Sequence, residues 1–174
     1  MSLLEVTGLV KTFGGLRALD NVTLTVAEGT IHGLMGANGA GKTTLFSIIV
    51  GNQRPTSGNV RFAGERIDRL RPDQICRKGI ARTFQIVRPF AQLTVRENVE
   101  TAVLFGRVPL PRGAEIPALV NGILEECGLA DLADRPASAL TLSARKRLEV
   151  ARALGTGPRL LLDEPTLGLA PAIA

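Results

Sequence analysis

The stretch Gly36-Ala-Asn-Gly-Ala-Gly-Lys42-Thr43 is the most informative part of the sequence. It fits the pattern GxxxxGK[ST], in which glycines let the backbone turn its N–H groups toward phosphate oxygens. The lysine adds a mobile positive charge, and the threonine hydroxyl can bind Mg²⁺. An apolar run, Ile31 to Met35, precedes the loop, and an apolar segment, Lys42 to Val50, follows it. This order predicts a buried strand, a phosphate-binding loop and a helix whose positive dipole end lies at the phosphates.

A second motif, Leu160-Leu-Leu-Asp163-Glu164-Pro165, ends another short apolar run with two carboxylates. In nucleotide hydrolases with such a loop, an Asp at the end of a neighbouring buried strand holds Mg²⁺ directly or through water. A following Glu can polarise the attacking water. An acidic strand end is common by itself. With the glycine-rich loop upstream, however, it indicates a site for nucleoside triphosphate hydrolysis.

The rest of the chain predicts strands first and helices later. Alternation of apolar and polar residues over Val22–Val26 predicts a half-buried strand of an antiparallel sheet. Thr94-Val-Arg-Glu97 fits a capping box, which predicts a helix that begins there and runs to about Leu104. Further predicted elements are a hairpin arm around Asn59–Phe62, a helix over Ile116–Cys127 and an amphipathic helix over Ser143–Leu154.

Composition excludes several classes of protein. The 174 residues are 45% hydrophobic and 21% charged, which is typical of a globular protein. No apolar run approaches the roughly 18 residues of a membrane span, and the N-terminus lacks the basic start of a signal peptide. Two distant cysteines and a single histidine exclude a zinc finger and indicate reduced, cytosolic thiols. The net charge of +5 suggests nucleic-acid binding, but the absence of Trp and Tyr leaves few stacking surfaces, and a solvated arginine-rich face is the favoured alternative.

With Ala81-Arg-Thr-Phe-Gln85 between them, the two motifs resemble those of ABC transporter ATP-binding subunits. The resemblance covers essentially the whole chain. It is closer to the ATPases of branched-chain amino acid importers and their amide or urea relatives over Lys11–Gly15, Ala81–Phe90 and Lys146–Leu154. It implies an α/β fold, a P-loop NTPase core of the ABC type with an antiparallel β arm and a helical subdomain.

The resemblance also implies a division into three segments. Residues 1–85 would hold the β arm and the core with the phosphate-binding loop, and residues 86–150 a helical subdomain. Residues 151–174 would return to the core with the strand that carries Asp163. The sequence stops at Ala174, just past the D-loop of the family and before a strand with a switch histidine. We therefore expect a truncated catalytic set, in either a fragment or a nucleotide-binding module with weak turnover.

Individual roles follow from the same resemblance. Phe13 matches the aromatic residue that stacks on adenine, although a core phenylalanine is the alternative. Gln85 matches the glutamine that senses Mg²⁺ and the attacking water, and Glu164 matches the general base. The segment 88–97 would face the permease, with a solvated loop as the equal alternative. The predicted catalytic residues are Glu164, Lys42 and Gln85. The predicted metal ligands are Thr43, Gln85 and Asp163. The predicted nucleotide-binding residues are Phe13, Gly36, Ala37, Asn38, Gly39, Ala40, Gly41, Lys42, Thr43, Thr44, Leu140, Thr141, Leu142, Ser143 and Ala144.

The family's LSGGQ signature is altered in this chain, where it aligns with Leu140-Thr-Leu-Ser-Ala144. In the family dimer this segment caps the γ-phosphate of the partner's ATP. Thr141 keeps a hydroxyl, but Leu142 and Ser143 replace the two glycines. A Cβ at Ser143 could block the phosphate or strain the backbone. Arg145 and Lys146 could compensate electrostatically, or they could be ordinary solvated helix charges.

The resemblance implies Mg·ATP binding and hydrolysis that energises an importer for branched-chain amino acids or related amides. The expected partners are an integral-membrane permease and a second ATP-binding subunit, identical or different, with no nucleic acid. The expected place is the cytoplasmic face of the membrane. Two alternatives stay open: a soluble ABC-type ATPase that acts on ribosomes or DNA, and a nucleotide-binding fragment without turnover.

Overall fold

The computed structural model describes residues 2–83, 89–106, 109 and 111–163. The chain forms two compact units, Met1–Cys76 and Arg77–Ala174. The boundary between these units, after Cys76, differs from the boundaries after residues 85 and 150 that the sequence analysis predicts. The three-segment division stays a prediction. Among the described residues, no helix is long and apolar enough to span a membrane.

The first unit contains a four-stranded antiparallel sheet in the order β2-β1-β3-β4. The strands are β1 (Ser2–Phe13), β2 (Leu16–Ala27), β3 (Ser57–Phe62) and β4 (Glu65–Arg66). Along Val22–Val26 of β2, the apolar residues Val22, Leu24 and Val26 are partly or fully buried, while Thr23 and Thr25 between them are exposed. This period of two gives the sheet one apolar face, as the sequence pattern predicts. The structure thus confirms the antiparallel β arm.

The first unit also contains one helix and all but the last residue of a second, shorter helix. Helix α1 (Lys42–Ile49) buries Leu45, Ile48 and Ile49, and the short helix α2 (Pro72–Arg77) buries Ile75. Complete burial of an aliphatic side chain contributes about 1.5–3 kcal/mol. Helix α1 is therefore held by the apolar residues that the sequence predicts on its inner face.

The segment Ile31–Met35 differs from its prediction. The backbone is irregular, and the side chains of Ile31 and Met35 are almost completely exposed. A short segment such as Ile31-His-Gly-Leu-Met35 forms a buried strand only when strands pair with it and other elements cover both faces. Within the described residues, neither sheet includes this segment. The prediction of a buried strand before the loop is therefore wrong for this structure.

The second unit is mainly helical. It contains α3 (Val95–Gly106), α4 (Glu115–Glu126) and α5 (Leu142–Gly155), whose apolar faces share one core. Two short strands, β5 (Ile80–Arg82) and β6 (Leu160–Leu162), pair in parallel in the same unit. The predicted helices over 116–127 and 143–154 are confirmed to within one residue at each end.

The predicted capping box at the start of α3 is confirmed. The Thr94 hydroxyl accepts a hydrogen bond from the Glu97 N–H at 3.1 Å, and the Glu97 carboxylate accepts one from the Thr94 N–H at 2.7 Å. These reciprocal bonds satisfy two donors that the first helical turn leaves unpaired. The bond from the Thr94 N–H also holds the pKa of Glu97 below its ordinary value.

One buried carboxylate ties β3 to β4 in the first unit. Asp68 is 5% exposed and accepts hydrogen bonds from the Val60 N–H at 3.1 Å and from Arg66 Nε at 2.9 Å. Burial alone raises the pKa of Asp68, but the bonds from Arg66 and Val60 outweigh it and lower the pKa below its ordinary value of 3.8. The folded state therefore favours the ionised carboxylate.

We predict that Asp68→Asn lowers the free energy of unfolding by about 2 kcal/mol at pH 7, because hydrogen bonds to a charged group are weakened. Since the folded pKa lies below the unfolded one, this contribution is complete above the unfolded pKa. It is lost as the pH falls through the folded pKa. Urea unfolding from pH 7 to pH 2.5 measures it.

The matched control is Asp20→Asn, which removes a carboxylate from the exposed ion pair with Arg17. An exposed pair of this kind contributes less than about 1 kcal/mol. Equal losses of stability in the two variants would contradict the role given to Asp68.

Candidate functional site

Residues 36–40 of the loop before α1 are exposed, and Gly41 is partly buried. The Ala40 N–H donates to the Ala37 carbonyl at 3.1 Å, which forms a tight turn, and Gly41 is the residue that precedes the helix. No described side chain caps α1, and its first turn contains no acidic residue. The first N–H groups of the helix, with the positive end of its dipole, are therefore available to an anion.

Lys42 holds the two ends of this loop together. Its ammonium group donates to the Gly36 carbonyl at 2.5 Å and to the Ala37 carbonyl at 2.8 Å. The cation thus lies on the loop itself, beside the N–H groups that begin α1. A bound phosphate can take over these hydrogen bonds and gain a charge-assisted contact.

Gly41 anchors the loop against the sheet. It has φ +88°, and a Cβ at this position would lie 2.4 Å from the Ala18 carbonyl oxygen and 2.7 Å from Leu19 Cδ2 on β2. Gly39 has nearly the same φ, +82°, but a Cβ there would meet nothing within 4 Å. Both positions need a left-handed backbone, and only Gly41 also needs the space.

The predicted adenine-stacking residue, Phe13, ends β1 and is 44% exposed, which excludes the alternative of a core side chain. The Lys11 ammonium lies 4.7 Å from the centroid of its ring and donates to the Arg54 carbonyl at 2.8 Å. The hydrogen bond to Arg54 and the cation–π contact with Phe13 together hold the Lys11 ammonium over the ring. The exposed surface of Phe13 is what a flat base requires for stacking.

Among the other residues of the loop region, the Thr43 side chain is exposed in the first turn of α1, and Thr44 is half-buried. An exposed hydroxyl beside a phosphate-binding loop is a suitable ligand for Mg²⁺. The structure thus brings together all the predicted phosphate-binding residues from Gly36 to Thr44 in one loop and helix start.

In the second unit, Asp163 follows β6 directly, and its carboxylate is exposed. Thr83 follows β5, and its hydroxyl donates a hydrogen bond to the Asp163 carboxylate. The Thr83 N–H donates to the Leu162 carbonyl at 3.0 Å, which continues the parallel ladder. Thr83 lies inside the segment Ala81–Gln85 that carries the family resemblance, but the sequence alone does not mark it as functional. Only the register of the two strands identifies its partner.

The altered signature segment begins helix α5. The Thr141 hydroxyl accepts from the Ala144 N–H at 3.3 Å and so caps the helix, while Leu142 is 69% exposed at the first helical position. Leu142 and Ser143 both lie within the helix, and neither has a positive φ. The expected backbone strain at the replaced glycines is therefore absent.

Arg145 does not extend freely from this segment. One of its Nη atoms donates to the Ser138 carbonyl at 2.7 Å, in the turn that precedes the signature. This bond holds the guanidinium on its own chain, so the structure favours a bracing role over electrostatic compensation. Of the other predicted site residues, Gln85 and Glu164 lie outside the described residues.

The family model for ABC transporters matches residues 19–167, which include the loop, Thr83, Asp163 and the altered signature. This chain belongs to the ABC transporter family. The match confirms the resemblance on which the site predictions rest, and homologues with this ATP-binding domain are ATPases coupled to transport.

Curated members of the ABC transporter family are similar over most of their length. The high-affinity branched-chain amino acid transport ATP-binding protein BraF of Pseudomonas aeruginosa is 42% identical over 97% of this chain and 71% of its own. LivG of Escherichia coli, with the same description, is 41% identical over the same shares of both chains.

Solved ABC structures confirm the fold class. MJ1267, an ATP-binding cassette of an ABC transporter, is 35% identical with a TM-score of 0.85, over 98% of this chain and 72% of its own. The cbiO1 protein of Clostridium perfringens, part of the cbiONQ transporter complex, is 30% identical with a TM-score of 0.82, over 98% of this chain and 68% of its own.

We predict that Gly41→Ala lowers the free energy of unfolding by about 2 kcal/mol more than Gly39→Ala does. Both variants carry the cost of a left-handed alanine, about 1–2 kcal/mol. Only the first also forces a Cβ into the backbone of β2. Urea unfolding of the two variants isolates this difference, and equal losses would show that the loop is not anchored at Gly41.

Proposed function

We propose that this chain binds Mg·ATP and hydrolyses it to energise an importer for branched-chain amino acids or related amides. The observation that carries the proposal is the loop 36–43, closed by the Lys42 ammonium at the uncapped start of α1. The substrate class is supported by the relatives that are described as branched-chain amino acid transport ATP-binding proteins.

The triphosphate is bound by the backbone and by one cation. Loop N–H groups and the start of α1 donate to phosphate oxygens, and the Lys42 ammonium moves from the two carbonyls to the β- and γ-phosphates. Charge develops on these oxygens during phosphoryl transfer, so donors that are already in place stabilise the transition state. The base stacks on Phe13, whose ring is exposed beside Lys11.

The donor groups suit Mg²⁺. This ion prefers oxygen ligands, keeps several waters and is usually held by one or two carboxylates together with substrate phosphates. The exposed residues Thr43 and Asp163 carry oxygen ligands of this kind, and both are proposed as Mg²⁺ ligands together with Gln85. Bound Mg²⁺ neutralises charge on the β- and γ-phosphates.

Turnover is assigned to Glu164. As general base it orients a water in line with the γ-phosphate, and Gln85 reports the state of this water to the membrane subunit. The position of Glu164 directly after Asp163 in the sequence supports its assignment as the general base.

We further propose that two ATP-binding subunits, identical or different, close head to tail over two nucleotides. Residues Leu140–Ala144 of one subunit then cap the γ-phosphate bound by the other. The side chain of Leu142 extends from the first turn of α5, so a nucleotide that approaches this helix meets an apolar group first. The partner in the membrane is a permease subunit on which this chain acts at the cytoplasmic face.

We predict that Lys42→Ala weakens ATP binding by about 10- to 100-fold, because it removes a charged donor worth about 1.5–3 kcal/mol. Isothermal titration calorimetry with Mg·ATP measures the loss. The control is Arg69→Ala, which removes one positive charge from the exposed surface of the same unit. Unchanged affinity in Lys42→Ala would contradict the assignment of the loop.

Glu164→Gln is expected to retain ATP affinity within about twofold and to lower the rate of phosphate release by at least about 100-fold, because the general base is lost. Steady-state release of phosphate measures the rate. If the unsubstituted chain binds ATP without any turnover that depends on Glu164, it is a nucleotide-binding module and the hydrolytic part of the proposal is wrong.

A further inference from the structure

We infer that Thr83 is a positioning residue that holds the Asp163 carboxylate in the orientation in which it binds Mg²⁺ or its waters. The inference rests on the proposed function of Asp163 and adds a residue to which no role has been given. It is carried by one contact, the hydrogen bond from the Thr83 hydroxyl to the Asp163 carboxylate.

The register of the two strands produces this contact. Ile80 pairs with Leu160 and Arg82 with Leu162, so β5 and β6 run in parallel without a shift. Thr83 and Asp163 are the next residues in the same register, directly after the ends of the two strands. Parallel strands end at the same sheet edge, and residues at matching positions extend from the same face. The hydroxyl and the carboxylate therefore meet as a consequence of the backbone pairing.

Burial makes this hydroxyl a rigid support. Thr83 is 4% exposed, and its N–H is held by the Leu162 carbonyl at 3.0 Å. A β-branched side chain has restricted freedom about χ1, so the hydroxyl has few other orientations. Since a buried hydroxyl without a partner costs free energy, the bond to Asp163 also satisfies Thr83 itself.

Asp163 differs from Thr83 because its side chain is exposed. The terminal torsion of an aspartate is broad, so an unsupported carboxylate at a strand end samples many orientations. A carboxylate has about four acceptor positions, and one bond from Thr83 leaves the others for a hydrated cation. Outer hydrogen-bond partners of this kind typically change metal affinity by 10- to 100-fold.

The test compares Thr83→Val, which keeps the shape and removes the donor, with Thr83→Ser, which keeps the donor. Mn²⁺ serves as the probe, and its affinity for the ATP-bound chain is measured by electron paramagnetic resonance. We expect Thr83→Val to weaken Mn²⁺ binding about tenfold and Thr83→Ser to stay within about twofold of the unsubstituted chain. ATP affinity without metal is expected to stay within about twofold in both variants.

Controls separate positioning from stability. Thr101→Val removes another threonine hydroxyl of the same unit, one that donates to the Glu97 carbonyl inside α3, and it should leave Mn²⁺ affinity unchanged. A purely structural role of Thr83 would lower metal-free ATP affinity and thermal stability in proportion to Mn²⁺ affinity, and this would overturn the inference. If Thr83→Val does not fold, Thr83→Ala and Thr83→Ser give the same comparison.

Asp163→Asn distinguishes the inference from the function on which it rests. If this variant leaves Mn²⁺ affinity unchanged, the metal role of Asp163 and the inference are both wrong. If Asp163→Asn weakens Mn²⁺ binding and Thr83→Val does not, only the role of Thr83 is wrong. Loss in both variants with recovery in Thr83→Ser supports the positioning role.

Discussion

The close approach of Gly41 to β2 is the constraint on which the phosphate-binding loop depends. With no Cβ, the backbone at this position reaches the Ala18 carbonyl, and the left-handed φ turns the chain directly into α1. The helix therefore begins without a side-chain cap, and its first N–H groups stay available. Lys42 is the first helical residue, so its ammonium reaches back to the carbonyls of the loop that it closes. One glycine contact thus sets the positions of the donors and of the cation.

The second unit places a functional carboxylate by a different means. Asp163 directly follows β6, and its position comes from the parallel pairing of β5 with β6. The buried Thr83 hydroxyl adds direction to that position. Backbone pairing fixes where a side chain begins, and a hydrogen bond from a buried neighbour fixes where it points. The first unit thus holds a cation on loop carbonyls, and the second holds an anion by a hydrogen bond from a buried hydroxyl.

Local patterns allowed much of this arrangement to be predicted. The capping box at Thr94, the helical periodicity of α4 and α5 and the loop motif depend on residues that are near each other in sequence. The strand predicted at Ile31–Met35 fails because burial of an apolar run depends on which strands lie beside it, and a local pattern does not contain this information. The contact of Thr83 with Asp163 was missed for the same reason, since it joins residues 80 positions apart through strand register.

In the altered signature, the Thr141 side chain has a structural role that does not depend on a ligand. Thr141 caps α5, so its hydroxyl is needed for the start of the helix whatever this segment binds. Leu142 and Ser143 occupy ordinary helical positions, and the backbone does not require glycine at either of them. Only the close approach of a ligand would require it. Any cost of the two replacements therefore falls on the approach of a nucleotide to this helix and not on the stability of the unit.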